Sequence, residues 1–324
     1  MLPRVFIDGE AGTTGMQIRQ RLATRTDLTL LSAAADRRRD VDERRRLLNS
    51  ADAVILCLPD DAAREAVSMV TSSAVRVLDA STAHRVAPGW VYGFPEMDSA
   101  QRSQIANARL VSNPGCYPTG FIALVRPLVG AGIIPADWPV TVNAVSGYSG
   151  GGKAMVAEFE DETATGFTQT AYRPYALSLA HKHVPEMQAH AGLTHRPLFA
   201  PAVARFRNGM IVEVPLALDR LPGAPQPMDI LRALETAFLG ESFVQVATST
   251  DSAVLTTLEP EALNGTNLIR LHVFGSEDGR QARLVAILDN LGKGAAGAAV
   301  QNLNLMLGLP ERAGLVRAAP ESAL

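Results

Sequence analysis

Val5-Phe6-Ile7-Asp8-Gly9-Glu10-Ala11-Gly12-Thr13-Thr14-Gly15 is the stretch whose reading decides the fold. Three apolar residues that suit a buried strand run into glycines spaced G-x-x-G-x-x-G, and a helical pattern follows to about Ala23. The spacing departs from the commoner G-x-G-x-x-G, but the mechanics carry over. Glycines allow a tight turn and close backbone approach, and the helix N-terminus then faces a pyrophosphate. Gly9, Gly12, Thr13, Thr14 and Gly15 are therefore candidate cofactor-binding residues. The same alternation continues outward: a strand over Leu28–Ala34, a helix entered through Asp40 and Glu43 at capping-box spacing, a strand over Asp52–Leu58, a helix over Asp60–Thr71 and a strand over Val75–Asp79. Alternating strands and helices imply right-handed crossovers and a doubly wound parallel sheet of Rossmann type.

The second strand leads through Ser32 into Asp36-Arg37-Arg38-Arg39. An NAD site would want a carboxylate there for the ribose 2′-hydroxyl. A hydroxyl and an arginine cluster suit a 2′-phosphate instead, because guanidinium pairs with phosphate bidentately. Ser32 and Arg37 are the candidates, and NADP(H) is the expected cofactor. The competing reading is a solvated basic turn in which Asp36 selects NAD.

From about Pro139 the pattern changes to longer strands, over Val140–Val145, Leu198–Phe206, Met210–Leu218, Leu268–Phe274 and Leu284–Leu288, with fewer helices between them. That predicts an α+β second domain with a mixed or antiparallel sheet. A last helix near Gly292–Leu307 begins rich in Gly and Ala, and Ser146–Gly152 reads as a flexible loop. The chain has 324 residues, 47% of them hydrophobic, enough for two cores. A net charge of −3 with both signs dispersed offers no nucleic-acid footprint. Two cysteines and an N-terminus unlike a targeting peptide point to a reducing cytoplasm, and no apolar run suggests a membrane span.

Of the two cysteines, Cys57 lies in an apolar strand pattern and reads as core packing. Cys116, in Ser112-Asn113-Pro114-Gly115-Cys116-Tyr117-Pro118-Thr119-Gly120, sits between turn formers just ahead of a helix. Aligned backbone N–H groups there favour thiolate over thiol, which makes Cys116 a candidate nucleophile. The alternative at that position is a small buried filler.

Together these residues resemble the N-acetyl-gamma-glutamyl-phosphate reductase family in its shorter, type 2 form. The matching segments are FIDGEAGTTG from Phe6, CLPDDAA from Cys57, LDASTAHR from Leu78, YGFPE from Tyr92, SNPGCYPTG from Ser112, SGYSGGGK from Ser146, HKHVPE from His181 and DNLGKGAAGAAVQN from Asp289. The resemblance implies NADPH-dependent reduction of N-acetyl-L-glutamyl 5-phosphate to the 5-semialdehyde with release of phosphate, through a cysteine thioester, in arginine biosynthesis. It also implies the fold plan of semialdehyde and glyceraldehyde-3-phosphate dehydrogenases. On that plan residues 1–115 and 290–324 bind NADP, and residues 116–289 carry catalysis and the contacts of a homodimer or homotetramer.

Residue by residue, the resemblance makes Cys116 the nucleophile and places the base in His181-Lys182-His183, with His181 chosen over His183. Asn290 matches the position that holds the nicotinamide amide. Asn113 is expected to assist the developing oxyanion. The anionic substrate calls for cations, for which Arg205, Arg207, Lys182 and Arg85 are candidates, with His183 beside them. No third ligand accompanies the paired histidines at metal-site spacing, so no metal is expected. Two rival readings stand beside this one: aspartate-semialdehyde dehydrogenase, with the same chemistry on a shorter substrate, and a non-catalytic NADP-binding regulator on the same fold.

Overall fold

The computed structural model describes residues 1–38 and 40–317, so Arg39 of the basic cluster and residues 318–324 of the expected cofactor domain lie outside the described residues. The chain forms two compact units. The first comprises Met1–Pro95, Ser99–Gly115 and Ala295–Leu315; the second comprises Glu96–Asp98 and Cys116–Gly294, with Val316 and Arg317.

In the first unit the order is β1 (Arg4–Asp8), α1 (Thr13–Leu22), β2 (Thr29–Leu31), α2 (Val41–Ser50), β3 (Ala53–Leu56), α3 (Asp60–Met69), β4 (Arg76–Asp79), β5 (Val91–Tyr92), α4 (Gln101–Asn107) and β6 (Leu110–Ser112). Every pairing is parallel and the sheet order is β2-β1-β3-β4-β6-β5. Alternation along the strands splits the core into two layers. Val5 and Ile7 face Ile18, Leu22, Ile105 and Leu303, whereas Phe6 faces Leu47, Leu48, Ala63 and Ala66. Burial on both faces is why these strands read as near-continuous apolar runs. The chain order reverses between β1 and β3, and the glycine loop follows β1 at that switch point, where doubly wound sheets bind ligands.

The second unit contains α5 (Cys116–Gly130), β7 (Thr141–Gly147), α6 (Gly152–Glu160), β8 (Tyr172–Pro174), α7 (Val184–Ala191), β9 (Leu198–Ala204), β10 (Met210–Ala217), α8 (Pro227–Ala237), β11 (Val244–Val246), α9 (Ser249–Ala253), β12 (Ile269–Gly275) and β13 (Gln281–Leu288). Its sheet, ordered β11-β12-β13-β10-β7-β9-β8, is mixed: β7–β9 and β11–β12 pair parallel and the others antiparallel. Helix α5 is apolar on nearly every side, as a helix inside a core must be, and packs on β10 and β13. A Cβ on Gly120 would lie 3.0 Å from Val212 and 3.3 Å from Ala286, so glycine sets how closely α5 meets that face.

Two sequence expectations need correction. Ser146–Gly152 is ordered structure, with β7 reaching Gly147, a 3-10 turn over Tyr148–Gly151 and α6 starting at Gly152. The expected helix over Gly292–Leu307 is a π-helical turn, Gly292–Ala296, followed by α10 (Gly297–Met306). The second unit keeps the chain to Gly294 and retains Glu96–Asp98. The physical reason is a buried bond. Lys293 Nζ lies 2.8 Å from both oxygens of Glu96, and the two side chains are 1% and 0% exposed.

Candidate active site

In the first unit the glycine loop behaves as its spacing requires. Gly9 has φ +86°, and a Cβ there would lie 2.3 Å from the Cys57 carbonyl oxygen. A Cβ on Gly15 would lie 2.4 Å from the Gly9 carbonyl oxygen, so only glycine lets α1 start this close to β1. Beside the loop is a cavity of about 530 Å³, lined by Asp8, Gly9, Glu10, Asp36, Arg38 and Arg44 among others. A cradle of this backbone with arginines at its wall fits a dinucleotide carrying anionic groups.

The basic cluster divides its labour. Asp40 caps α2, accepting from Glu43 N–H at 2.8 Å, and its carboxylate then draws Arg37, 3.4 Å from Asp40 and 3.7 Å from Glu43. Arg38 lines the cavity and lies 3.1 Å from Glu10. Ser32 accepts from Arg19 at 2.7 Å, and Arg19 also pairs with Glu10. The sequence reading named Ser32 and Arg37 out of the cluster that also holds Arg38, and it did not consider Arg19. Arg19 lies one helix away in sequence and carried no local signal.

In the second unit Cys116 is the first residue of α5. Its neighbour Tyr117 stands at the centre of an aromatic cluster. The Tyr117 ring is 6.1 Å from that of His181 and 5.9 Å from that of His183, and the two imidazoles are 4.6 Å apart. Phe199 packs edge-on against both Tyr117 and His181 at 5.1 Å. His181 Nδ1 accepts from the His183 backbone N–H at 3.1 Å, and His181 Nε2 is 3.3 Å from the Tyr175 hydroxyl. The segment between Tyr175 and His181 holds Ala176 at φ +55° and Leu179 at φ +59°, strained positions for residues with a Cβ. On the other side, a Cβ on Gly294 would lie 2.8 Å from Cys116 Cβ. A cysteine at a helix start, two histidines and a glycine turn pressed onto the cysteine can form and discharge a thioester.

Comparison with known proteins agrees with this chemistry. The semialdehyde dehydrogenase NAD binding domain matches residues 4–108, and the semialdehyde dehydrogenase dimerisation domain matches residues 116–290. N-acetyl-gamma-glutamyl-phosphate reductase 2 of Nostoc sp. is 57% identical over 97% of this chain and 99% of its own length. The reductase of Brucella ovis is 54% identical over 95% of this chain and all of its own. The chain belongs to the N-acetyl-gamma-glutamyl-phosphate reductase family. Among solved structures, aspartate semialdehyde dehydrogenase II of Vibrio cholerae superposes with a TM-score of 0.72, covering 95% of this chain and 99% of that one. At 16% identity that likeness speaks for the fold alone.

Membership in this reductase family makes the chain an oxidoreductase with a nicotinamide-dinucleotide-binding unit. Several expected site residues, however, have their polar atoms engaged within the protein. Asn113 is buried, with Nδ2 donating to the Ala295 carbonyl at 3.0 Å and Oδ1 accepting from Asn302 at 3.1 Å. Asn290 accepts from Gly209 N–H at 2.8 Å and donates to Ser149 Oγ at 3.0 Å, which leaves one amide proton for another partner. Arg205 donates to the Thr168 carbonyl at 2.6 Å and the Phe159 carbonyl at 3.3 Å, and Arg207 pairs with Glu160. Glu160 thus answers Arg207's charge, a partner 47 residues upstream that sequence gave no reason to suspect. Arg85 is buried and held by the carbonyls of Asn113 and Ala80 at 2.9 and 3.2 Å. Lys182 is exposed. Cys57 packs against the core of the first unit, and burial, reinforced by the Asp79 and Asp8 carboxylates, pushes its thiol up to about 12.

Proposed function

We propose that this chain reduces N-acetyl-L-glutamyl 5-phosphate to N-acetyl-L-glutamate 5-semialdehyde with NADPH, releasing inorganic phosphate, in arginine biosynthesis. The observation that carries the reading is the second unit's cluster, in which Cys116 begins α5 and its neighbour Tyr117 packs against both His181 and His183. The 57% identity to a protein of that name supports the substrate over its shorter aspartyl analogue.

In the first half-reaction Cys116 Sγ attacks the acyl carbon, the carbon–oxygen bond to phosphate breaks, and a thioester forms. The first-turn N–H groups of α5 favour the thiolate and face the oxyanion that develops beside it. When bound, NADPH would supply the hydride that this reduction needs, and Cys116 would then leave as thiolate, its carbon–sulfur bond breaking as the aldehyde is released. We assign the loop of Gly9–Gly15 to the pyrophosphate and Arg38, with Ser32 and Arg19, to the 2′-phosphate. Asn290's remaining amide proton is the group we offer to the nicotinamide amide. For the thiol proton, the bonds at both ring nitrogens of His181 favour His183 as acceptor, reversing the preference taken from sequence. We leave Asn113, Arg205 and Arg207 out, because their bonds hold the fold. The second unit's dimerisation-domain match supports a homodimer, and two free cysteines suit a reducing cytoplasm.

Intact-mass measurement tests the thioester directly. Incubated with the acyl phosphate and no cofactor, the protein should gain one N-acetylglutamyl group that hydroxylamine removes, and Cys116→Ala should gain none. An adduct that persists in Cys116→Ala would refute the mechanism.

A further inference from the structure

Around His181 the hydrogen bonds run in one direction, and that direction fixes where the imidazole proton sits. The far end is the Ala202 backbone carbonyl, which can only accept. Tyr117 donates its hydroxyl proton to it at 3.2 Å. Tyr117's oxygen is then the acceptor for the Tyr175 hydroxyl at 3.3 Å. With its one proton committed to Tyr117, Tyr175 can meet His181 Nε2, 3.3 Å away, only as an acceptor. At the near end the His183 backbone N–H donates to His181 Nδ1 at 3.1 Å, which requires a lone pair on that nitrogen. Both ends demand the same ring: neutral, with its proton on Nε2. An imidazolium would have no lone pair for His183 N–H, and the other tautomer would set two donors against each other there.

We propose that Tyr175 and Tyr117 are positioning residues that hold His181 as the neutral Nε2–H tautomer, so that His181 in turn anchors the His183 backbone. Burial keeps both phenols protonated: Tyr175 is pushed up to about 12 and Tyr117 is raised as well, so both remain hydroxyls with a single proton to place. Packing supports the same orientation, since the Phe199 ring stands perpendicular to His181 and Tyr175 packs against its edge at 5.5 Å. Strained φ values at Ala176 and Leu179 show that the loop is held in place against its own backbone preference. The device spans four elements: α5 supplies Tyr117, the residue after β8 supplies Tyr175, β9 supplies the Ala202 carbonyl, and the loop before α7 carries His181.

The tautomer itself rests on nothing but these bonds; the kinetic consequence rests on the role proposed above for His183. The test is ¹⁵N NMR of protein labelled at histidine, with His181 assigned by its loss in His181→Gln. Wild type should show a protonated Nε2 and an unprotonated Nδ1. Tyr175→Phe should lose the Nε2 partner, leave the His183 N–H as the remaining bond that selects the tautomer, and raise the share of the Nδ1–H form. Tyr117→Phe frees the Tyr175 proton to turn toward Nε2, and should raise that share as well. Each phenylalanine variant should lower kcat about 3- to 10-fold, the worth of one neutral hydrogen bond, with KM within about twofold. A wild-type ring protonated on Nδ1, or tautomers unmoved in both variants, would overturn the proposal, and the wild-type spectrum decides even if a variant fails to fold. Tautomers that mix with kcat unchanged would leave the positioning bonds standing and remove the proposed role of His183.

Discussion

Cys116 and Cys57 carry the same side chain in opposite environments, and the contrast gives the sharpest test at the level of single residues. Cys116 starts a fifteen-residue helix, where aligned N–H groups stabilise a thiolate. Cys57, pushed up to about 12, remains a neutral thiol across the physiological range. Iodoacetamide at pH 8 should therefore alkylate Cys116 in the folded protein at least about tenfold faster than Cys57, and the difference should vanish in urea, where both return to an ordinary pKa near 8.5. Cys116→Ala should lower turnover by about 10⁴-fold or more while leaving NADPH affinity within about twofold. The sequence pointed to Cys116 because its turn-forming neighbours are local. Within the arginine cluster it pointed to Arg37, and it could not show the Asp40 cap beside which Arg37 lies, because that pairing depends on geometry. Arg38→Ala should cut the preference for NADPH over NADH by about 10- to 100-fold, the worth of a charge-assisted bond, and Arg37→Ala should change it little. Steady-state kinetics with both cofactors reads the two variants side by side.

At the scale of elements, the turn Gly292–Ala296 matters more than its glycine-rich sequence suggests. Composition allowed a helix with small residues; it could not show a π-helical turn or the partner of Lys293, nearly two hundred residues earlier. Gly294→Ala would place a methyl group 2.8 Å from Cys116 Cβ, so the thiol or the turn must move. A displacement of that size should lower kcat by about 10²-fold with the fold intact by circular dichroism. The buried pair behind the turn should show the asymmetry of buried charges. Lys293→Met removes the ammonium facing a carboxylate that is 0% exposed, and should cost about 3–5 kcal/mol of unfolding free energy. Combining it with Glu96→Gln should recover much of that loss in urea titrations; an additive double variant would mean that the pair is not coupled. Glu96, buried against Lys293, has a structural part in the fold.

For the molecule as a whole, what was legible depended on how local the signal was. Strands β1, β3 and β4 announce themselves as apolar runs because both faces of the first sheet are covered, and Gly9 and Gly15 mark the switch point because no other residue fits there. Strands β8 and β11, three residues each at the two edges of the second sheet, left no pattern long enough to read. The engaged side chains of Asn113, Asn290 and Arg205 were invisible for a related reason: their partners are set by long-range packing. The family likeness, by contrast, extends through nearly the entire chain, at 57% identity over 97% of its length. The decisive measurement is therefore made on the intact protein: phosphate-dependent reduction of NADP, with N-acetylglutamate semialdehyde and aspartate semialdehyde compared under the same conditions. Turnover with the acetylated aldehyde alone, abolished when phosphate is withheld, is the predicted result. Preference for aspartate semialdehyde, or silence with both while NADPH still binds, would contradict the account.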